Sequence, residues 1–459
     1  MGVPGSSLFG LFPDTGADMK PIKRTYWVLF AVIFLLWWLA DDVMGARGFF
    51  PLRSSLVNLS GLLAMGAMSL AMLLAVRPAL LERWLGGLDK LYRLHKWLGI
   101  SALVLGIVHW GWAQIPKWLV RAGLLVKPAG KGTGAPQDGV LGWFHSQRAL
   151  AEGIGEWAFY VAVLLILLAL LKRFPYRYFF KTHRLLALVY LLLAFHGLVL
   201  MKPQYWSTPL APLFALFMLL GCVAGLISLT RRIGQRRRVL AEVAELERHP
   251  DNRVLRVTLR LQDRWPGHEA GQFAFVTFDP DEGPHPFTIS SAWQEDGRLT
   301  FLIKAIGDYT AALPQSVKLG DQAVVEGPYG RFDFRGRKAA QIWVGGGIGI
   351  TPFIARLQWL AKQRRDQPVD LFYCTSEPDE PFIARLRNLA RQAGVRLHVL
   401  VSQRDGRLTA ERLCQMVPGW RDADLWFCGP LAFGRSLRQG MLEHGVNSED
   451  FHHELFDMR

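Results

Sequence analysis

The sequence predicts a multidomain chain: an all-α bundle of six transmembrane helices, then an antiparallel β-barrel, then an α/β domain. Three observations predict it. Six long apolar runs dominate the first half, short alternating runs punctuated by Gly and Pro follow from about Val239, and strand-like and helix-like segments alternate from about Ala339. The boundaries expected from these shifts are an N-terminal tail over 1–24, a membrane domain over 25–235, a barrel over 236–337 and an α/β domain over 338–459.

The apolar runs are Tyr26–Ala40, Leu56–Val76, Leu91–Ala113, Trp157–Leu171, Leu185–Met201 and Leu210–Leu229. A crossing helix needs about 20 residues, so the first and fourth must borrow flanking residues. Composition agrees: charged residues are 20% of the chain, below the roughly 25% usual in soluble proteins, and mean hydropathy is +0.17. Lys20, Lys23 and Arg24 before the first run resemble a signal-peptide start. Asp41 and Asp42 follow it, however, rather than a small-x-small cleavage site, which favours an anchor.

The formal net charge is +15. Its cations gather between spans 2 and 3 (Arg77, Arg83, Lys90, Arg93), between spans 4 and 5 (Lys172, Arg173, Arg177, Lys181) and after span 6 (Arg231, Arg232, Arg236, Arg237, Arg238). The positive-inside rule then places both termini in the cytoplasm and accounts for the basic excess without nucleic acid. The long loop Gln114–Glu156 is also basic, as long translocated loops are free to be. The four cysteines are dispersed and form no C-x-x-C pair, which argues against a disulfide framework and against a Cys-based zinc or iron–sulfur site.

Four histidines lie on two of these spans: His95 and His109 on span 3, His183 at the start of span 5 and His196 within it. An ionisable side chain at bilayer depth is costly and marks a functional candidate. At 1.5 Å per residue each pair is spread over about 20 Å of helix. Antiparallel spans therefore bring His95 level with His183 near one face and His109 level with His196 near the other. Facing imidazoles are natural axial ligands for haem iron; hydrogen-bonded core histidines are the alternative. The 14-residue gap on span 3 returns nearly to the same helix face, whereas the 13-residue gap on span 5 falls about 140° short of whole turns. Span 5 must therefore bend or present its histidines from different angles. Gly99, Gly106 and Gly111 either admit a porphyrin beside span 3 or aid helix packing.

In the soluble half, Val254–Leu261, Gln272–Phe278, Leu299–Lys304 and Gln322–Glu326 read as barrel strands. His285-Pro286-Phe287-Thr288, with Ser290, follows a barrel strand and offers a ring, hydroxyls and amides to a flavin, or is an ordinary strand start. Lys304, Gly307 and Thr310 surround a turn into a helix N-terminus, where amides and a cation can hold a pyrophosphate; the two elements together favour FAD. Strands Ile342–Val344, Val369–Tyr373, Arg396–Val401 and Asp424–Phe427 alternate with helices Thr351–Gln363, Pro381–Gln392, Thr409–Met416 and Gly434–Glu443, the pattern of a covered parallel sheet. The glycines Gly345, Gly346, Gly347 and Gly349, with Thr351 and Pro352, join a strand to a helix as a pyrophosphate loop does. Cys428, Gly429 and Pro430 close another strand at the ligand edge, Cys428 being equally readable as a structural thiol.

These motifs resemble those of the NADPH oxidase and ferric reductase superfamily in its short bacterial form, over about residues 25–459. The histidine quartet resembles that family's bis-histidine ligands, with His95 and His183 on an inner and His109 and His196 on an outer b-type haem. His285–Thr288 resembles its H-P-F-T flavin motif, Lys304 and Gly307–Thr310 its second FAD element, and Gly345–Pro352 and Cys428–Pro430 its nicotinamide loops. Phe451-His452-His453-Glu454-Leu455-Phe456 resembles its terminal F-H-x-E-x-F, in which the last aromatic, here Phe456, stacks on the flavin and gates nicotinamide. Ser402 and Arg404, separated by Gln403, resemble a Ser-Arg pair that receives a 2′-phosphate in relatives, which implies a modest preference for NADPH over NADH; a solvated loop arginine is the alternative.

The resemblance implies an integral protein of the bacterial inner membrane. It would pass electrons from cytoplasmic NADPH or NADH through FAD and two haems to an acceptor outside, foremost O2 giving superoxide; a ferric chelate, or a periplasmic partner or quinone served by a redox module, are the alternatives. No EF-hand or activator site is present in the sequence, so no obligatory activator protein is expected.

Overall fold

The computed structural model describes residues 19–126, 140–171, 173–363 and 367–454. The chain divides into two compact units, one built from Pro21–Leu85 and Lys90–Ile233, the other chiefly from Gly234–Met458.

The first unit is helical: α1 (Lys20–Ala40), α2 (Phe49–Ala75), α3 (Ala79–Leu85), α4 (Leu88–Arg121), α5 (Val140–Ser146), α6 (Arg148–Leu170), α7 (Tyr176–Leu200) and α8 (Leu210–Leu229). Six of these, all but α3 and α5, are long and apolar enough to cross a bilayer. Residues such as Trp27, Leu35, Leu39, Leu164 and Leu219 stay exposed on them, as lipid-facing side chains do. The two short runs do gain flanking residues, becoming helices of 21 and 23 residues. The loop expected over Gln114–Glu156 is shorter than the sequence suggested, because α4 continues to Arg121 and α6 begins at Arg148. Pro116 lies inside α4 and cannot donate to the carbonyl of Trp112. Arg53 supplies the missing donor, with Nε 2.8 Å from the Trp112 carbonyl oxygen and Nη2 2.9 Å from that of Ala113.

The bundle core joins Ile33, Trp37, Leu62, Met65, Tyr190, Phe214 and Met218. Tyr190 is one of its polar members, and its hydroxyl lies 2.8 Å from Ser69 Oγ and donates to the Met218 carbonyl at 3.1 Å. Gly221 makes room for that phenol, because a Cβ there would lie 2.8 Å from Cζ.

The second unit carries two sheets. The first has β1 (Arg238–His249), β2 (Val254–Leu261), β3 (Phe273–Thr277), β4 (His285–Thr288), β5 (Arg298–Lys304) and β6 (Gln322–Tyr329), in the antiparallel order β4-β3-β6-β1-β2-β5. A bridge from Ile289 to Phe301 links the residue after β4 to β5. Leu255, Val257, Val276, Ile289, Phe301 and Val325 fill the interior, with α9 (Asp308–Ser316) packing through Leu313. His285–Thr288 is thus itself a strand, the alternative its sequence left open.

The second sheet has β7 (Ala340–Gly346), β8 (Val369–Thr375), β9 (Arg396–Val401), β10 (Ala423–Cys428) and β11 (Phe451–His453), all parallel in the order β11-β10-β7-β8-β9. The helices between them are α10 (Thr351–Lys362), α11 (Glu380–Gln392), α12 (Ser402–Asp405), α13 (Ala410–Met416) and α14 (Leu431–Glu443). The chain leaves β7 toward β8 on one side and reaches β10 on the other, so a topological switch point lies between β7 and β10. Ligands bind at such points in open α/β sheets.

Candidate functional site

The four membrane histidines meet in the pairs expected. The ring centroids of His95 and His183 are 5.8 Å apart and those of His109 and His196 are 6.2 Å apart. α7 runs unbroken through both of its histidines, and the interplanar angles of 66° and 85° reflect their different approach.

Backbone carbonyls fix the tautomers. Nδ1 of His95 lies 2.9 Å from the Ala71 carbonyl oxygen, that of His109 2.9 Å from that of Val57, and that of His196 2.8 Å from that of Ala151. A carbonyl only accepts, so each Nδ1 carries the proton and each Nε2 keeps a lone pair for a metal. His183 Nδ1 is buried without a hydrogen-bond partner among the described residues, and its ring stacks on Phe179 at 5.0 Å.

Space beside the rings is specified too. A Cβ on Gly155 would collide with the His196 imidazole, and one on Gly61 would lie 3.2 Å from that of His109. Gly99, one turn beyond His95, would meet nothing within 4 Å, whereas Gly106 packs on Phe159 at 3.3 Å. Only 11% of the most apolar stretch of α4 is buried, the lowest of the six spans, so protein leaves that flank uncovered. No group of three or more His, Cys, Asp or Glu that could hold a metal occurs among the described residues. Two-ligand iron in a macrocycle needs no such group.

At one end of the same unit, Asp41 is buried beside Lys202, Ser55 and Tyr205. Lys202 Nζ and Ser55 Oγ each donate at 2.6 Å, and the Tyr205 hydroxyl donates as well. Burial opposes ionisation of this carboxyl, but these donors and the Lys202 charge outweigh it and hold it below its ordinary value. The sequence analysis missed the cluster; an aspartate directly after an apolar span was its one signal.

In the second unit the two flavin-like elements come together: the His285 ring stacks on that of Tyr309. Pro286 and Phe287 flank it, half-buried. Two hydroxyls are already committed to the fold. Thr310 Oγ1 accepts from the amides of Ile306 and Gly307 at 3.0 and 3.1 Å, capping α9, and the buried Ser290 hydroxyl bonds the Thr288 carbonyl and the Leu302 amide. Lys304 makes a 2.6 Å pair with Glu377, a residue the sequence reading did not single out.

The two glycine loops also meet, at the switch point. A Cβ on Gly346 would lie 2.8 Å from Pro430, and one on Gly429 2.9 Å from the Gly346 Cα. Thr351 and Pro352 open α10 directly behind Gly349, both buried. Cys428 is fully buried; burial first, then the Glu454 charge, push its thiol well above the ordinary value. It is therefore a neutral thiol at physiological pH and not a thiolate. Ser402 and Arg404 stand apart on α12, where Asp405 accepts from Arg404 Nε and Nη2, both at 3.1 Å. Phe456 lies outside the described residues.

Residues 60–194 match the family model of a ferric reductase like transmembrane component, and residues 239–333 match that of an FAD-binding domain. The two matches together support the NADPH oxidase and ferric reductase superfamily. Among curated relatives, the toluate 1,2-dioxygenase electron transfer component of Pseudomonas putida is 28% identical over 40% of this chain and 58% of its own length. An NADPH oxidoreductase of Mycobacterium tuberculosis is 34% identical over 32% of this chain and 40% of its own. The chain thus spans less than two thirds of these curated relatives. Among solved structures, a flavohemoglobin from Malassezia yamatoensis aligns over 93% of this chain and 98% of its own at 16% identity, with a TM-score of 0.48.

Proposed function

We propose that this protein carries electrons from NAD(P)H across a membrane to O2, releasing superoxide. The observation that carries the reading is the double histidine pair, in which three of four Nδ1 atoms are tied to carbonyls so that Nε2 keeps its lone pair. His95 with His183 would hold one b-type haem and His109 with His196 a second; the uncovered flank of α4 and the glycines beside the rings fit a flat macrocycle. When bound, the flavin and haems supply the conversion of a two-electron hydride into single-electron steps.

In this reading the antiparallel sheet of 236–337 is the FAD barrel and 338–459 binds the nicotinamide dinucleotide. His285, Pro286, Phe287 and Tyr309 form the flavin wall, with Thr288 and Ser290 holding its strand. The amides at Gly307 and the Lys304 ammonium receive the FAD pyrophosphate, while Thr310 caps the helix that presents them. Gly345–Gly349 and Gly429–Pro430 bring backbone close to the nicotinamide dinucleotide, Cys428 lies behind it, and Arg404 receives a 2′-phosphate. Phe456 is the flavin-stacking gate. Both termini lie in the cytoplasm, by the positive-inside distribution of Lys and Arg, and the membrane is the bacterial inner one.

For the acceptor, Arg53 and Lys202 favour O2 over an anionic ferric chelate. Both are engaged, by carbonyls and by Asp41, so neither is held open for an anion. Reduced-minus-oxidised spectra of purified protein should give paired low-spin b-type bands and two haems per chain. Cytochrome c reduction by NADPH should be abolished by superoxide dismutase. Rapid Fe(III)-chelate reduction without dismutase-sensitive signal would reassign the acceptor, and a haem-free spectrum would overturn the electron path.

A further inference from the structure

A cleft in the second unit lies between the antiparallel sheet and the C-terminal edge of the parallel sheet. Asn252, His249 and Lys304 line one wall, and Gly347, Thr375 and Glu377 line the other. Register brings two cations side by side on the first wall. Val254 pairs with Lys304 across β2 and β5, and the Ala305 amide donates to the Arg253 carbonyl at 3.0 Å. Both cations reach across to one carboxylate: Lys304 Nζ lies 2.6 Å from Glu377 Oε2, and Arg253 Nη2 lies 3.0 Å from Oε1.

Two further observations indicate that the cleft is shaped for a ligand. Asn252 is 8% exposed, and its Oδ1 is buried with no hydrogen-bond partner among the described residues. A buried acceptor without a donor is costly and calls for one. Gly347, with φ +55°, would have nothing within 4 Å of an added Cβ, so that the backbone of the glycine loop stays open toward the cleft it lines.

Resting on the reading of this unit as the dinucleotide-binding part, we infer that Glu377 occupies the place of a dinucleotide pyrophosphate and is displaced when that pyrophosphate binds Arg253 and Lys304. A pyrophosphate carries more charge and more acceptor oxygens than one carboxylate, so it wins the two cations when present. Without it, Glu377 keeps them paired and the two walls joined. Asn252 Oδ1 accepts from a hydroxyl of the same ligand. The proposed function gives Lys304 to the pyrophosphate of FAD; the cleft also reaches the glycine loop at Gly347, so titration with each dinucleotide separates FAD from the nicotinamide one.

The test uses the purified holoprotein. NADP+ affinity is read from the flavin difference spectrum, and FAD affinity from flavin fluorescence after dialysis against graded FAD. Glu377→Gln should tighten one of the two about three- to fivefold, the scale of a half-exposed ion pair. Tightening of NADP+ alone assigns the nicotinamide dinucleotide, and tightening of FAD alone assigns FAD. Arg253→Gln placed in the Glu377→Gln background should cancel the gain. Glu377→Asp, which keeps the charge and shortens its reach, should fall between. Unchanged or weaker affinity for both ligands in Glu377→Gln overturns the latch. Failure of the wild type to bind either ligand overturns the underlying reading and the latch with it.

Discussion

The imidazole of His285 stacks on the phenol ring of Tyr309, with centroids 4.1 Å apart and planes 19° from parallel. This contact ties β4 to the first turn of α9, so two motifs separated in sequence become one wall. Burial pushes the His285 imidazole down to about 4. The Glu282 carboxylate lies at the margin of the ion-pair range, 4.0 Å from Nε2.

That shift predicts acid sensitivity. Below about pH 6.5 the unfolded chain protonates this imidazole, while the folded one stays neutral until about pH 4. The folded state then binds fewer protons, so stability is complete above pH 6.5 and falls as pH drops through that window. The loss is about 1 kcal/mol by pH 5.5 and at most about 3 kcal/mol. His285→Phe keeps a ring on Tyr309 and has nothing to titrate. Its melting temperature should fall less between pH 7 and 5.5 than that of the wild type; equal falls would remove His285 as the cause.

Asp41 should matter through Lys202. Replacing it with Asn leaves a cation whose side chain is 17% exposed without its counter-charge. Breaking a buried pair from one side costs about 3–5 kcal/mol. Asp41→Asn should therefore lower the melting temperature, and Lys202→Met should lower it too, because it strands the Asp41 carboxylate, whose side chain is 2% exposed. The double variant, Asp41→Asn with Lys202→Met, leaves no orphaned charge and should lose less than the sum of the two; strictly additive losses, read by scanning fluorimetry in detergent, would count against this account.

Periodicity made the six spans legible, and the histidine partners followed from depth alone, because 1.5 Å of rise per residue leaves little choice. β1 was not legible. Its Leu240-Ala-Glu-Val-Ala-Glu-Leu-Glu sequence favours helix by propensity, yet pairing with β2 and β6 and burial of Val239, Ala241 and Val243 make it a strand. The role of Glu377 was hidden for another reason: it faces Lys304 across 73 residues of sequence, and no local pattern announces such a pair. The carbonyls that orient the histidines carry no sequence signal at all, since every residue has one.

Nicotinamide choice depends on a competition at α12. Asp405 holds Arg404 through both oxygens and also accepts from the Val401 amide at 2.8 Å. In the proposed reading a 2′-phosphate must share that guanidinium with a carboxylate. Asp405→Asn keeps an acceptor for the amide and removes the charge, so the NADPH-over-NADH ratio of kcat/KM should rise severalfold. Arg404→Ala should erase the preference. A ratio unmoved by either variant would separate α12 from the nucleotide.

Gly155 offers the sharpest test of the outer pair. Its α-carbon lies so close to the His196 ring that any side chain would displace the imidazole, whose Nδ1 is held by the Ala151 carbonyl one turn away on the same helix. A methyl group at 155 therefore acts on His196 while leaving it in the sequence. Gly155→Ala should reproduce the spectrum of His196→Ala, one haem per chain instead of two, whereas Gly153→Ala, which meets nothing within 4 Å, should keep both. His95→Ala or His183→Ala should remove the other haem and leave NAD(P)H-dependent flavin reduction intact. Haem content by pyridine haemochrome, with stopped-flow flavin reduction on the same samples, distinguishes these cases. Two haems per chain in Gly155→Ala would mean that the 148–170 helix gives way instead, and that the close approach of Gly155 to His196 is not what holds the outer pair in place.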